Sequence, residues 1–505
     1  MNINLKKVVI ATLASTALLG LATTALADDS NIELVRALVS KGVLTEEEGA
    51  LLTKGRADEM DVQKKKEKKA WTSHVNIRGY VQARANSMLG GDKGINLWSD
   101  RSIGDDTSLG NADKNFLIRR ARLIIFGDYG DHLSYYIQPD FTNNSPSGNT
   151  GGYAQLRDVY GDINIDKTKV HRVRVGLSKV PYGFENLQSS SQRLTQDRAD
   201  AMNSAVRDER DLGAFYYYTP ETTQKLFDEI SKEGLKHSGN YGMFGIGAYN
   251  GQGANRFDRN DNYHTVARFT YPWKTDSGQI YEAGIQGYTG KFVADTGNYR
   301  TPLNRAEVLA LNATQPAVAP LSGIGVLPVG CSAVTTVAQN SAGVKSTCAP
   351  RVAANDRNGI KDERIGVSFM MYPQPFGLQA EWNWGKTPGL DLASNTIKEQ
   401  NLNGGYVQAM YMLKDWKNLG TFIPYVKYQY FDGYNKAETN APKNKVNDWE
   451  LGMEWQIAPE VEISAEYHRM KRNNLVTGAT NDSLIKSDYE SFTAQALRVQ
   501  LQFNY

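Results

Sequence analysis

Cysteine is nearly absent from these 505 residues, histidine is scarce at six, and no apolar run of membrane-spanning length occurs beyond the first thirty positions. Each spanning helix needs roughly 20 mostly apolar residues, so a mean hydropathy of -0.49 excludes a helical membrane bundle. The histidines (His74, His132, His171, His237, His264 and His468) form no HExxH pair and accompany no nucleophile elbow. The sequence therefore nominates no catalytic set, no metal site and no cofactor, and an enzyme is not expected. Charge of one sign is lacking as well: 57 Lys and Arg face 55 Asp and Glu. A balanced chain does not carry the electrostatic footprint of a nucleic-acid binder. What is abundant is aromatic and flexible, with 27 Tyr, 8 Trp and 46 Gly. Disordered chains are poor in aromatics, whereas Tyr and Trp suit elements with one apolar and one wet surface.

Residues 1–27 read as a secretory signal, with Lys6 and Lys7 before the apolar stretch Val8 to Leu21 and an A-x-A site at Ala25-Leu26-Ala27. A membrane-anchoring helix is the alternative, and Asp28-Asp29 directly after the small residues favours cleavage. Export agrees with the cysteine usage. Cys331 and Cys348 stand 17 positions apart in a long, weakly charged stretch, where a disulfide would contribute about 3 kcal/mol; two free thiols are the alternative. Residues 28–70 have helical spacing instead, in Ile32, Leu34, Val35, Leu38 and Val39, then a capped start at Thr45 to Glu48. They predict a short α-helical periplasmic segment ending in the basic run Lys64 to Lys69, a solvated linker or a contact for lipid or lipopolysaccharide phosphates.

From Trp71 the period becomes two. Val75, Ile77, Gly79, Val81 and Ala83 alternate with Asn76, Arg78, Tyr80, Gln82 and Arg84, and the pattern recurs in Leu133-Tyr135-Ile137, Val173-Val175-Leu177 and Leu378-Ala380-Trp382-Trp384. About 16 strands are predicted, beginning near residues 75, 116, 132, 155, 171, 211, 241, 263, 280, 363, 376, 405, 421, 447, 461 and 493. An even number of such strands, joined by alternately short and long links, is the pattern of an all-β transmembrane antiparallel barrel over residues 71–505. Tyr129-Gly130-Asp131 and Pro373-Gln374-Pro375 would be periplasmic turns; 85–114, 180–208 and 291–360 would be outer loops or pore inserts. A secreted β-sandwich or β-helix would give similar alternation. Against it stand aromatic groups at predicted strand ends (Tyr216, Tyr217 and Tyr218; Tyr271 and Trp273; Trp382 and Trp384; Tyr425, Tyr428 and Tyr430), as interfacial girdles require. The terminus agrees: Leu497, Val499, Leu501, Phe503 and Tyr505 alternate to the last residue.

A barrel of this size encloses an aqueous lumen lined by the polar half of each strand. In its first half that lining is basic, with Arg78, Arg84, Arg120, Arg122, Arg172 and Arg174. The segment 180–208 adds Arg193, Arg198 and Arg207, and Arg210 follows it. A low-dielectric wall focuses such charge and enriches anions, and guanidinium binds carboxylate or phosphate in two-pronged fashion. The competing expectation is that these arginines are neutralised by Asp158, Asp162, Asp197, Asp200, Asp208 and Asp211. Later strands turn Glu381, Glu450, Glu454 and Glu466 inward, so two charged sectors face each other.

Several of these segments resemble one known family. Phe116-Leu-Ile-Arg-Arg-Ala-Arg-Leu123, Tyr135-Tyr-Ile-Gln-Pro-Asp-Phe141, Leu156-Arg-Asp-Val-Tyr160, Val175-Gly-Leu-Ser-Lys-Val-Pro-Tyr-Gly-Phe-Glu185 and Arg210-Asp-Leu-Gly213 stand in the order of the phosphate-selective porin O/P family. The resemblance runs from about Trp71 to Tyr505. It implies a sixteen-strand homotrimeric barrel with an inward-folded third loop, in which an arginine ladder and a lysine cluster pass phosphate. Carried over, it makes Arg120 and Arg122 lumen residues and Lys179 with 180–208 the constriction. This sequence departs from the pattern in mixing arginine with aspartate there and in lacking a dense lysine cluster. The expectation is accordingly an outer-membrane porin for ions and small hydrophilic solutes, leaning toward anions. The alternatives are a phosphate or oxyanion channel, and a structural or adhesive barrel presenting 291–360.

Overall fold

The computed structural model describes residues 40–41, 74–92, 95, 97–100, 102–103, 114–142, 153–296, 337–340, 343–346, 357–392, 394, 396–480 and 483–505. Two compact units divide the chain at Val75. The expected signal at 1–27, nearly all of the helical segment at 28–70, and both Cys331 and Cys348 lie outside the described residues.

The second unit is a closed antiparallel barrel of sixteen strands in sequence order. They are β1 (Asn76–Gly91), β2 (Lys114–Tyr129), β3 (Leu133–Thr142), β4 (Tyr153–Asn164), β5 (His171–Lys179), β6 (Arg210–Tyr218), β7 (Phe244–Tyr249), β8 (His264–Lys274), β9 (Ile280–Phe292), β10 (Ile360–Met371), β11 (Phe376–Asp391), β12 (Thr396–Tyr411), β13 (Thr421–Tyr434), β14 (Lys443–Ala458), β15 (Val461–Thr480) and β16 (Ser483–Asn504). A separate small hairpin, Val337–Asn340 with Gly343–Ser346, stands apart from the barrel sheet. The described barrel thus has the strand number that the alternation predicts, and starts agree to within a few residues for most strands. No described helix is long and apolar enough to cross a membrane.

Alternation dictates the faces because successive side chains leave a strand on opposite sides. In β8, His264, Val266, Arg268 and Thr270 are buried inward, while Thr265, Ala267, Phe269 and Tyr271 are exposed outward. In β16 the exposed Leu497, Val499 and Phe503 alternate with buried Ala496, Arg498, Gln500 and Gln502. That strand closes the barrel against β1, from Tyr80 opposite Asn504 to Gly91 opposite Ala494. Tyr505 completes the seam: the Gly79 amide donates to its carbonyl at 2.7 Å and its own amide donates back at 3.0 Å. Its hydroxyl donates to the Arg122 carbonyl at 3.1 Å. A Cβ on Gly79 would lie 2.5 Å from the Tyr505 ring, so glycine is required there for the ring to lie across the seam. Deleting Tyr505, or replacing Gly79 with valine, is therefore expected to abolish the compact, heat-modifiable form seen on detergent gels. Retention of that form in both variants would show that the seam closes without the terminal ring.

The lumen is not lined by polar groups alone. Two links fill one side of it. The first, residues 180–209, runs between β5 and β6 and contains the short helices α1 (Phe184–Leu187) and α2 (Asp200–Asn203). The second, residues 219–243, joins β6 to β7 at the end of the barrel that carries the short turns, and contains α3 (Glu221–Lys232). Nothing in the strand periodicity announced this insert. Its apolar face, Phe227 and Ile230, packs with Phe184, Leu194 and Leu235 against inward-facing Ile280, Met370, Tyr372, Met410, Ile423 and Tyr425. An apolar patch on the inner wall of β9 to β13 thus holds both inserts to that side, because burying it is the main driving force available. Two expected girdle residues belong inside for this reason: Tyr425 in that patch, and Tyr217, buried among Val180, Phe215 and Tyr249. Tyr428, Tyr430, Trp382 and Trp384 lie on the outward side, Trp382 stacked on Tyr430 at 5.9 Å.

Candidate functional site: the basic wall of the lumen

With β9 to β13 covered by inserts, the open wall is β1 to β6, and its arginines are delivered by alternation plus two bulges. On β1, Tyr80, Gln82, Arg84 and Asn86 are buried inward. Across from them on β2 the pairing steps from Gln82 opposite Arg120 to Ala83 opposite Ile118. Arg119 is the extra residue, and a bulge lets consecutive side chains share a face. Arg119 donates to the Ser99 carbonyl at 2.9 Å and stands 3.6 Å from Asp197, both on loops folded into the lumen. A second bulge lies between β3 and β4, where Gln138 opposes Asp158 and Pro139 opposes Leu156. Its extra residue, Arg157, is buried and ion-paired with Glu209 at 3.3 Å. Both bulged arginines escaped the two-residue reading, which assigns them outward.

Most of the expected arginines have acidic partners. Asp197, at the tip of the 180–209 loop, receives four guanidiniums: Arg498 at 2.7 Å, Arg84 at 2.9 Å, Arg119 at 3.6 Å and Arg120 at 3.9 Å. Asp100, on the inward-folded link after β1, shares two of them, Arg498 at 2.6 Å and Arg84 at 3.0 Å. Lower on the wall Arg122 pairs with Asp140 at 2.9 Å, and Arg174 and Arg172 share Asp162 at 2.7 and 3.5 Å. Arg210 pairs with Asp158 at 2.9 Å and with Glu209, which also receives Arg198 at 2.5 Å. Asp200 and Asp448 both contact Arg472. Asp211 differs from expectation: it accepts the backbone amides of Gly251 and Gly253 at 2.7 and 3.0 Å. Arg207 packs against Gly253, whose added Cβ would meet its side chain at 2.7 Å.

Three of the expected basic groups, Lys179, Arg193 and Arg78, have no carboxylate within ion-pair distance among the described residues. Lys179 donates to the carbonyls of Leu187 and Gln188 at 2.9 and 2.6 Å. Arg193 donates to those of Thr195 and Gln196 at 2.9 and 2.8 Å. Arg78 lies over the Phe126 ring at 5.2 Å.

The facing acids do a different job from the one alternation suggests. Glu381 accepts the backbone amides of Phe184 and Glu185, both at 2.6 Å, at the start of α1, and the Tyr406 hydroxyl at 2.7 Å. Glu466 accepts the Gln196 amide at 3.0 Å. Glu454 is bound to Lys236, and Glu450 accepts from Gln429 at 2.8 Å. Lys427 adds Glu185 at 2.7 Å, and Arg364 donates to the carbonyls of Ala201 and Ser204 at 3.0 and 2.8 Å. Glu381, Glu466, Lys427 and Arg364 are latches that fasten the 180–209 loop, and Glu454 fastens the 219–243 link. Of these residues Arg498 was readable from its place between Leu497 and Val499; Arg364 and Lys427 gain their roles only from the loop they meet, and Lys236 from the strand residue Glu454.

Along the basic wall remains a cavity of about 1120 Å³ opening toward the short turns. Eight lysines and arginines, among them Arg78, Arg172, Arg174, Lys179, Arg210 and Lys236, line it, outnumbering the five acids Asp128, Asp158, Asp162, Asp415 and Glu462. Burial, then Lys236 beside it, pushes the His237 imidazole down to about 4, so this lining residue is neutral at physiological pH. A separate small cavity of about 20 Å³ lies beside Asp197, between Arg498, Arg472, Glu450 and His468.

A family model described as phosphate-selective porin O and P matches residues 94–306 and 326–505. No curated relative matches the sequence. Among solved structures, the outer-membrane channel DcaP of Acinetobacter baumannii aligns at 14% identity over 85% of this chain and 97% of its own, with a TM-score of 0.45. An anion-selective porin from Comamonas acidovorans aligns at 10% identity over 85% and 99%, with a TM-score of 0.44. The trimer form of OmpT from Vibrio cholerae gives 10%, 85%, 99% and 0.45 for the same measures.

Proposed function

The chain belongs to the phosphate-selective porin O and P family and is an outer-membrane channel of a Gram-negative cell; on that premise we propose that it conducts small hydrophilic solutes passively, with a preference for anions. One observation carries the preference. Glu381, Glu466 and Glu454 of the far wall are engaged with the inserted loops, whereas Arg78 and Lys179, which line the open cavity, have no carboxylate partner among the described residues. Unneutralised cations beside a low-dielectric wall raise the local anion concentration. Phosphate is one such anion. A channel dedicated to it is supported less well, because the buried lysines are dispersed: Lys179, Lys236, Lys427 and Lys436 each engage a different partner.

Self-association as a trimer belongs to the same proposal. Its support is the uneven outer surface: every outward tryptophan among the described residues lies on β8 to β14 or the turn between β12 and β13. Tryptophan belts mark the headgroup level of lipid and lipopolysaccharide, so β1 to β6 and β16 are the faces suited to a neighbouring subunit.

The zero-current potential of single channels in a potassium chloride gradient tests the preference. It is expected on the chloride side and is expected to move toward zero in Arg120→Ala more than in Arg122→Ala. Arg122 is matched by Asp140 at 2.9 Å, whereas the nearest carboxylate oxygen to Arg120 is 3.9 Å away. A potential on the potassium side in the unmodified protein overturns the reading.

A further inference from the structure

The cavity at the short-turn end carries aromatic surface as well as charge. Phe126, Tyr136 and Tyr160 occupy directly paired positions on β2, β3 and β4. Their ring centroids follow one another at 6.3 and 5.2 Å, and Tyr136 and Tyr160 are parallel to within 9°. All three line the cavity and are only half-buried. Rings that packed a core would be covered; these face space. Cations stand at both ends of the row: the Arg78 guanidinium 5.2 Å from the Phe126 centroid, and that of Arg174 3.7 Å over Tyr160. Gly176 sits opposite Tyr160 at φ +132°, where an added Cβ would lie 2.8 Å from the Tyr160 Cα. No side chain from β5 at that position covers the ring, and Arg174 reaches over it. Charge survives at each end, because Arg78 has no ion pair among the described residues and Arg172 and Arg174 share the single carboxylate of Asp162.

We propose that this row is a binding track for planar aromatic carboxylates, resting on the anion-channel reading above. An aromatic ring in the solute gains stacking or edge-to-face contact with Phe126, Tyr136 and Tyr160, while its carboxylate pairs with the guanidinium at either end. Phosphate or an aliphatic carboxylate could use the arginines alike but would gain no ring contact. Adjacent rings let the solute pass from one to the next without losing both contacts at once.

The test is block of chloride current through the full-length protein in a planar bilayer by benzoate and by cyclohexanecarboxylate, equal in charge and similar in size. Benzoate is expected to block at roughly tenfold lower concentration, more readily from the side that the short turns face. In Tyr136→Leu/Tyr160→Leu the two concentrations are expected to converge, and in Arg78→Gln both are expected to rise together. Equal block by the two anions in the unmodified protein overturns the track even where the double variant fails to fold, and so does a benzoate preference that survives the double substitution. Equal block with a chloride-side potential removes this inference alone; a potassium-side potential removes the reading beneath it.

Discussion

Replacing Asp197 with asparagine is expected to raise the ratio of anion to cation permeability by roughly an order of magnitude. One carboxylate there stands within 4 Å of Arg84, Arg119, Arg120 and Arg498. Removing its charge leaves Asp100 and Glu466 to serve Arg84 and Arg498, but strips Arg119 and Arg120 of their only acid within ion-pair distance among the described residues. The amide keeps the size of the side chain, and the loop stays fastened through Glu381, Lys427 and Arg364, so the change acts on field rather than on shape. Zero-current potentials of Asp197→Asn and Asp197→Glu read it directly: the first should move toward the chloride limit, the second should not. If the asparagine variant keeps the original potential, this cluster is not the selective point of the pore.

Releasing the loop should instead change conductance. Glu381 holds the start of α1 through two amide hydrogen bonds, and Arg364 holds the region after α2 through the carbonyls of Ala201 and Ser204. Hydrogen bonds to charged groups contribute about 1.5–3 kcal/mol each, and these act at both ends of one short segment. The double variant Glu381→Ala/Arg364→Ala removes one charge of each sign. Single-channel conductance is therefore expected to rise several-fold, or to fluctuate between levels, with little movement of the zero-current potential. Steady, unmodified conductance would mean that residues 180–209 do not set the narrowest part of the path.

The two variants separate what could be read along the chain from what could not. Which residue faces lipid is a local property: Val173, Val175 and Leu177, or Leu497 and Val499, point outward because every second side chain must. Arg84, Arg122, Arg172, Arg174 and Arg210 were legible on that ground, and Asp158, Asp162 and Asp197 as their neutralising partners. Arg119 and Arg157 were not, because a bulge is a mismatch between two strands and leaves no mark on either strand alone. The insert at 219–243 was missed for a related reason. Its helix has an apolar face, but the matching patch is scattered over β9, β10, β12 and β13, between Ile280 and Tyr425.

Sequence by itself determined that the chain is a strand-built cylinder with an apolar outside and a basic first half, since a period of two and the type of each residue need no partner to be expressed. Only the tertiary structure decided which charges remain available. Glu381 and Glu466 became fasteners once a loop from the opposite side brought its amides to them, and Asp197 became a shared counter-ion once four arginines from three strands converged on it. Neutralisation depends on distances of a few ångströms between residues hundreds of positions apart, and such distances exist only after the cylinder has closed.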